Sequence, residues 1–169
     1  FYIVFVENAG MAYGIQILNK IFLSLFRLVA VGVLGWYLHW ELKHHGRTRY
    51  IMILSLIIAG AAGNIIDCMF YGLIFTSASP FALSTFVPFG SGYAPFLMGK
   101  VVDMFYFPLI VTTWPEWVPM VGGQEFIFFS PVFNFADASI SVGVVLLVIF
   151  CRKDFERIAI AFSKTKHLQ

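Results

Sequence analysis

Three long runs of apolar residues alternate with short polar stretches along this chain, and each approaches the length needed to cross a bilayer. A membrane helix needs roughly 20 mostly apolar residues. The first run spans Ile21 to Trp40 and carries one charge, Arg27. The second spans Tyr50 to Phe75, interrupted by Asp67, and the third spans Phe133 to Cys151, with Asp137 near its start. The segment from about Thr76 to Ser130 has a different texture, punctuated by Pro and Gly and rich in aromatic residues, including Trp114 and Trp117. Trp and Tyr favour the headgroup level, so this segment is expected to lie along the membrane interface rather than to cross it.

Composition agrees with the pattern. Hydrophobic residues make up 60% of the 169 positions and charged residues 12%, where a soluble domain carries about 25% charged. Mean hydropathy is +0.85. The apolar residues must face lipid as well as each other. A net charge of +2, with no basic patch interleaved with aromatics, gives no sign of nucleic-acid binding. Cys68 and Cys151 sit in different apolar runs and offer neither a disulfide framework nor metal-ligand spacing. His39, His44, His45 and His167 lie mostly among basic residues near the ends of the runs. No metal and no cofactor is expected.

The basic residues orient the spans. Lys43, Arg47 and Arg49 occupy the loop between the first two runs, and Arg152, Lys153, Arg157, Lys164 and Lys166 follow the third. By the positive-inside rule both stretches, the C-terminus included, are cytoplasmic, and residues 76–130 lie outside. The residues before Ile21 then also lie outside, and the chain begins at Phe1. A preceding helix is expected to complete four spans in the intact protein. Residues 1–169 read as one membrane-embedded domain.

Carboxylates inside a membrane are costly and mark function by default. Asp67 stands about 27 Å along the helix from Arg49, and Asp137 about 22 Å before Arg152, at 1.5 Å per residue. Against a core of about 30 Å, both reach the outer part of the membrane. Each has an asparagine three residues earlier, Asn64 in GNIID and Asn134 in FNFAD. That spacing puts both side chains on one helical face. Asn8, before the first span, lies at the same side, and Asp103 sits in the apolar run KVVDMFYF. Two carboxylates held close share a proton, so one can activate water while the other protonates a leaving amine. An acid pair of this kind needs no metal. Either Asp103 or Asp67 could partner Asp137. The blander readings are a helix N-terminal acid for Asp137, an interfacial acid for Asp103 and a turn residue for Asn8. Arg27 reads as a snorkelling or paired cation, and Cys68 as a small packing residue. Two other functions use the same residues: a small transporter or proton relay, and a non-catalytic relative of an enzyme.

In order along the chain, ENAGMAYG (Glu7 to Gly14), GNIID (Gly63 to Asp67), VVD (Val101 to Asp103) and FNFADASISVG (Phe133 to Gly143) resemble the blocks of lipoprotein signal peptidase, also called signal peptidase II. The resemblance implies a fold class: an all-α membrane protein, a transmembrane helix bundle (three spans here, four in the intact family) with a small extracytoplasmic β-like platform and an interfacial insert. It implies an aspartyl endopeptidase of the bacterial cytoplasmic (inner) membrane. Such an enzyme cuts the signal peptide from a prolipoprotein just before a cysteine carrying diacylglyceryl. The catalytic aspartates carry over to Asp103 and Asp137. Asn8, Gly10, Asn64, Asp67 and Asn134 carry over as residues that bind substrate or support the pair. Expected partners are prolipoprotein signal peptides, membrane lipids and globomycin-type inhibitors, with the protein a monomer. Three features depart from the family pattern. Cys68 stands where Arg is usual, Tyr71 to Lys100 intervene before VVD, and a further Trp- and Pro-rich insertion separates Asp103 from FNFAD.

Overall fold

The computed structural model describes residues 1–8, 18–79, 81–152 and 154. Strand β1 (Tyr2–Asn8) is followed by helices α1 (Leu18–Lys43) and α2 (Thr48–Ile74). Strands β2 (Val101–Tyr106), β3 (Ile110–Thr113), β4 (Glu125–Phe128) and β5 (Val132–Phe133) come next, and helix α3 (Phe135–Phe150) follows.

Among the described residues α1 and α2 are long and apolar enough to cross a membrane. Their apolar windows are only 6% and 28% buried inside the protein, and Phe22, Val29, Trp36 and Met52 are exposed. Helices this apolar and this bare need an apolar surrounding, and lipid is the one their length fits. This is a membrane protein. The third expected span is shorter than the apolar run suggests. Helix α3 has 16 residues, about 24 Å at 1.5 Å per residue, because Asn134 caps it at one end and Cys151 at the other.

Helix α2 packs against both α1 and α3. Its crossing with α3 depends on Gly60, where a Cβ would stand 2.5 Å from the Ala136 carbonyl oxygen. The buried apolar cluster lies near the other end of α2, where Tyr50, Ile53, Leu54 and Cys151 pack with Leu38, Leu146 and Leu147. There Tyr37 Oη donates to Glu41 Oε1 at 2.8 Å and lies 3.0 Å from Tyr50 Oη.

Beside the helices the described residues form two small sheets, where the all-α expectation allowed for one β-like platform. Strands β1, β2 and β5 form an antiparallel sheet with β2 in the centre, and β3 pairs with β4 in a separate hairpin. Runs such as VVDMFY and EFIF, rich in β-branched and aromatic residues, suit a half-buried pleated surface. Within residues 76–130, β2 joins the three-stranded sheet and β3 pairs with β4 apart from it. The insert also contains a closed excursion. After α2 the chain turns at Thr76–Thr85, where the Thr76 N–H donates to the Thr85 oxygen at 2.9 Å. It returns so that the Tyr93 N–H meets the Phe75 oxygen at 3.0 Å and the Ala94 N–H meets the Gly72 oxygen at 2.9 Å. Phe81 and Leu83 on this excursion, and Trp117 and Met120 between β3 and β4, are almost wholly exposed.

Candidate active site

Strand pairing sets the position of Asp103. In the β1–β2 ladder Val6 faces Asp103, Glu7 faces Val102 and Asn8 faces Val101. On the other side of β2, Phe105 pairs with Phe133, and the chain leaves β5 directly into Asn134. Side chains alternate along a strand, so Asp103 points to the face opposite Val102 and Met104. Asn8 Nδ2 donates to Asp103 Oδ2 at 2.9 Å.

Helix α3 begins with a capping box. Asn134 is the N-cap, and its Oδ1 accepts the Asp137 N–H at 3.0 Å. The Asp137 carboxylate reaches back to accept the Asn134 N–H at Oδ2, 3.3 Å away. This reciprocal arrangement satisfies two backbone donors at the helix start. It also refines the sequence expectation: the Asn134–Asp137 spacing marks a helix end, since Asn134 is extended and not yet helical. The same spacing in GNIID lies within α2, where it is a helical face.

The Asn134 amide joins the pieces. With Oδ1 committed to a backbone N–H, Nδ2 must face acceptors. It donates to Asp103 Oδ1 at 2.8 Å and to Asn64 Oδ1 at 3.2 Å. Asn64 Nδ2 in turn donates to Asp137 Oδ1 at 2.9 Å. Five residues from four elements and a helix cap thus form one network: Asn8, Asn64, Asp103, Asn134 and Asp137. Asp103 is 3% and Asn134 6% exposed, which excludes the reading of Asp103 as a solvated interfacial acid. Burial pushes the Asp103 carboxyl above its ordinary value, and the nearby Asp137 charge adds to this. Donation from Asn8 and from Asn134 works the other way.

Asp67 stands outside these hydrogen bonds. It lines a cavity of about 380 Å³ with Gly63, Tyr71, Met104, Asn134 and Ser139. Asn134 therefore touches both the carboxylate network and the cavity. Gly10 lies outside the described residues. Cys68 is buried, and its carbonyl accepts the Gly99 N–H at 2.9 Å. Among the described residues no cluster of His, Cys, Asp or Glu is arranged to hold a metal.

Sequence reasoning missed the hub role of Asn134, although Asn followed three residues later by Asp before an apolar run is a capping signal. It also missed Lys100, whose Nζ pairs with Glu7 Oε2 at 2.5 Å across the two strands. Their adjacency needed the β1–β2 register, which no local pattern gives.

Two aspartates bridged by asparagines, Asp103 buried and Asp137 half-buried, at the edge of apolar helices, define a class of membrane protein built around paired carboxylates. Comparison with known proteins narrows the class. A sequence model of the family described as signal peptidase (SPase) II matches residues 1–152, and the chain belongs to that family. A lipoprotein signal peptidase of Porphyromonas gingivalis is 52% identical over 150 residues, covering 88% of this chain and 66% of the relative. One from Amoebophilus asiaticus is 35% identical over 162 residues, covering 93% of this chain and 64% of the relative. One from Chlorobaculum parvum is 27% identical over 155 residues, covering 92% and 74%. The chain therefore spans just under two thirds of the length of the first two of these relatives. No solved structure gives a significant match.

Proposed function

We propose that this protein is an aspartyl endopeptidase that removes signal peptides from diacylglyceryl-modified prolipoproteins, cutting before the lipidated cysteine. The observation that carries the reading is the Asn134 side chain, which binds Asp103 Oδ1 and the Asp137 N–H at once. Membership of the signal peptidase II family supports it.

In this reading Asp103 and Asp137 hold one proton between them, and burial favours its residence on Asp103. Asp137 takes a proton from water, and the hydroxide adds to the scissile carbonyl carbon while Asp103 protonates the carbonyl oxygen. Collapse of the tetrahedral intermediate breaks the C–N bond. The proton held by Asp137 passes to the leaving nitrogen, and Asp103 recovers its own from the collapsing hydroxyl. Asn8, Asn64 and Asn134 keep the two carboxylates in register. Asp67, and Gly10 by resemblance, contribute to the substrate side.

The surroundings proposed with this chemistry are a bacterial cytoplasmic membrane, with α1, α2 and α3 crossing it and the aspartates near the outer face. Loop 44–47 and the C-terminus face the cytoplasm. The exposed Phe81, Leu83, Trp117 and Met120 suit contact with the lipid interface. The protein acts as a monomer on lipidated substrate, and globomycin-type compounds inhibit it.

Cleavage of a diacylglyceryl prolipoprotein peptide by the purified protein in detergent, with and without globomycin, tests the proposal. Asp103→Asn and Asp137→Asn should each abolish cleavage while the protein stays folded. Full activity in either variant would sink the assignment of the pair.

A further inference from the structure

The strand that carries Asp103 is held from behind by a contact the chemistry above does not use. Immediately before β2, residues 97–99 run between α1 and α2. Lys20 Nζ on α1 donates to the Met98 carbonyl at 2.7 Å. One turn along the same helix, Ser24 Oγ donates to the Leu97 carbonyl at 3.1 Å. From the other side, the Gly99 N–H donates to the Cys68 carbonyl of α2 at 2.9 Å. Lys20 is 8% and Ser24 4% exposed.

A buried ammonium is costly unless it is hydrogen-bonded, and the ionisable groups acting on Lys20 are Cys68, Lys100 and Glu7. Here it is spent on a backbone carbonyl of a loop. The loop is held in an unusual shape: Leu97 has φ +67°, a left-handed conformation that a leucine rarely adopts. Gly99 lies so close to α2 that a Cβ there would stand 2.7 Å from the Asp67 oxygen and 2.9 Å from the Cys68 oxygen. The segment thus has little freedom to slide, and β2 begins two residues later. Asp137 and Asn64 are fixed by α3 and α2, whereas Asp103 reaches them on a strand whose start is tied down by Lys20 and Ser24.

We infer that Lys20, assisted by Ser24, is a positioning residue for Asp103, clamping the 97–99 loop so that the carboxylates meet at working distance. The inference rests on the proposed aspartyl chemistry. A small misplacement of a reacting group costs on the order of 100-fold in rate, and substrate binding need not change with it.

The experiment is steady-state cleavage of a lipidated prolipoprotein peptide by the full chain in detergent, with folding checked by circular dichroism and thermal unfolding. Lys20→Met should lower kcat by on the order of 10- to 100-fold while KM stays near the wild-type value. Its alkaline limb of kcat against pH should shift, because the surroundings of Asp103 change. Lys20→Arg, which can still donate to Met98, should recover most of kcat. Wild-type kcat in folded Lys20→Met, or a rise in KM alone, overturns the clamp. If Lys20→Met fails to fold, Ser24→Ala carries the test, with a smaller fall in kcat expected and an unchanged kcat overturning it. Asp103→Asn in the same assay separates the two levels. An active Asp103→Asn defeats the underlying chemistry, whereas an inactive one beside a fully active Lys20→Met defeats the clamp alone.

Discussion

Asn134 Nδ2 lies 2.8 Å from Asp103 Oδ1, and this hydrogen bond joins the start of helix α3 to the middle strand of the sheet. The same side chain caps the helix through its oxygen. Stability and chemistry are therefore combined in one residue, and substitutions can separate them.

Asn134→Ser keeps an N-cap oxygen but loses the amide donor. The cap itself should change little, because Ser and Asn cap almost equally well, but loss of the hydrogen bonds to Asp103 and Asn64 should cost about 1–3 kcal/mol of unfolding free energy. Cleavage should fall by on the order of 100-fold as Asp103 loses its tether. Asn134→Ala should cost about 1 kcal/mol more through the lost cap. Thermal unfolding in detergent and cleavage rates on the same samples check both.

Stability should depend on pH through Asp103. Its carboxyl sits above the ordinary 3.8, chiefly through burial. The folded chain then binds this proton more tightly than the unfolded chain. The Asp103 contribution to stability is fullest below 3.8 and declines as pH rises through the elevated folded value. Asp103→Asn should remove that decline, visible as a flatter dependence of the thermal midpoint on pH.

Asn8→Ala should move the alkaline limb of activity to higher pH. The Asn8 amide stabilises the charged form of Asp103, so its loss pushes the carboxyl further up. The pH profile of kcat reads the shift directly, and a move to lower pH would contradict it.

Asp67→Asn should behave unlike the substitutions in the pair. Asp67 lines the cavity beside Asn134 and lies outside the carboxylate network. Its neutral variant is expected to raise KM several-fold and to leave most of kcat. Steady-state kinetics over a range of substrate concentration separates the two effects, and an inactive enzyme would move Asp67 into the pair.

Gly60→Val should destabilise by about 1–3 kcal/mol through overpacking, because its Cβ would press on the Ala136 carbonyl within the first turn of α3. Activity should fall with stability, since Ala136 lies between Asn134 and Asp137. Paired measurements of thermal midpoint and turnover check this.

The helices were readable from apolar run length, to within a few residues for α1 and α2. The N-x-x-D motifs pointed to Asn64, Asn134 and Asp137. Their equivalence was misleading, because one motif lies within a helix and the other caps one. Resemblance favoured Asp103 over Asp67 across an insertion, and the structure brings Asp103 into the network with Asn8 and Asn134. That geometry depends on strand register between residues about a hundred positions apart, which periodicity does not encode. Lys20 was invisible for a related reason: its partner is a backbone carbonyl, and every residue type presents one.

The excursion that leaves α2 at Phe75 and pairs with the same residue again at Tyr93 has a consequence for how such a chain can change. Its feet stand side by side on the last turn of one helix. The seventeen positions from Thr76 to Gly92 therefore add nothing to the distance between α2 and β2, and a tight turn could bridge the gap. Closing a longer loop costs little extra, about 0.6 kcal/mol per doubling. Evolution, or an engineer, can lengthen, trim or exchange this ornament without resetting the spacing of the acids.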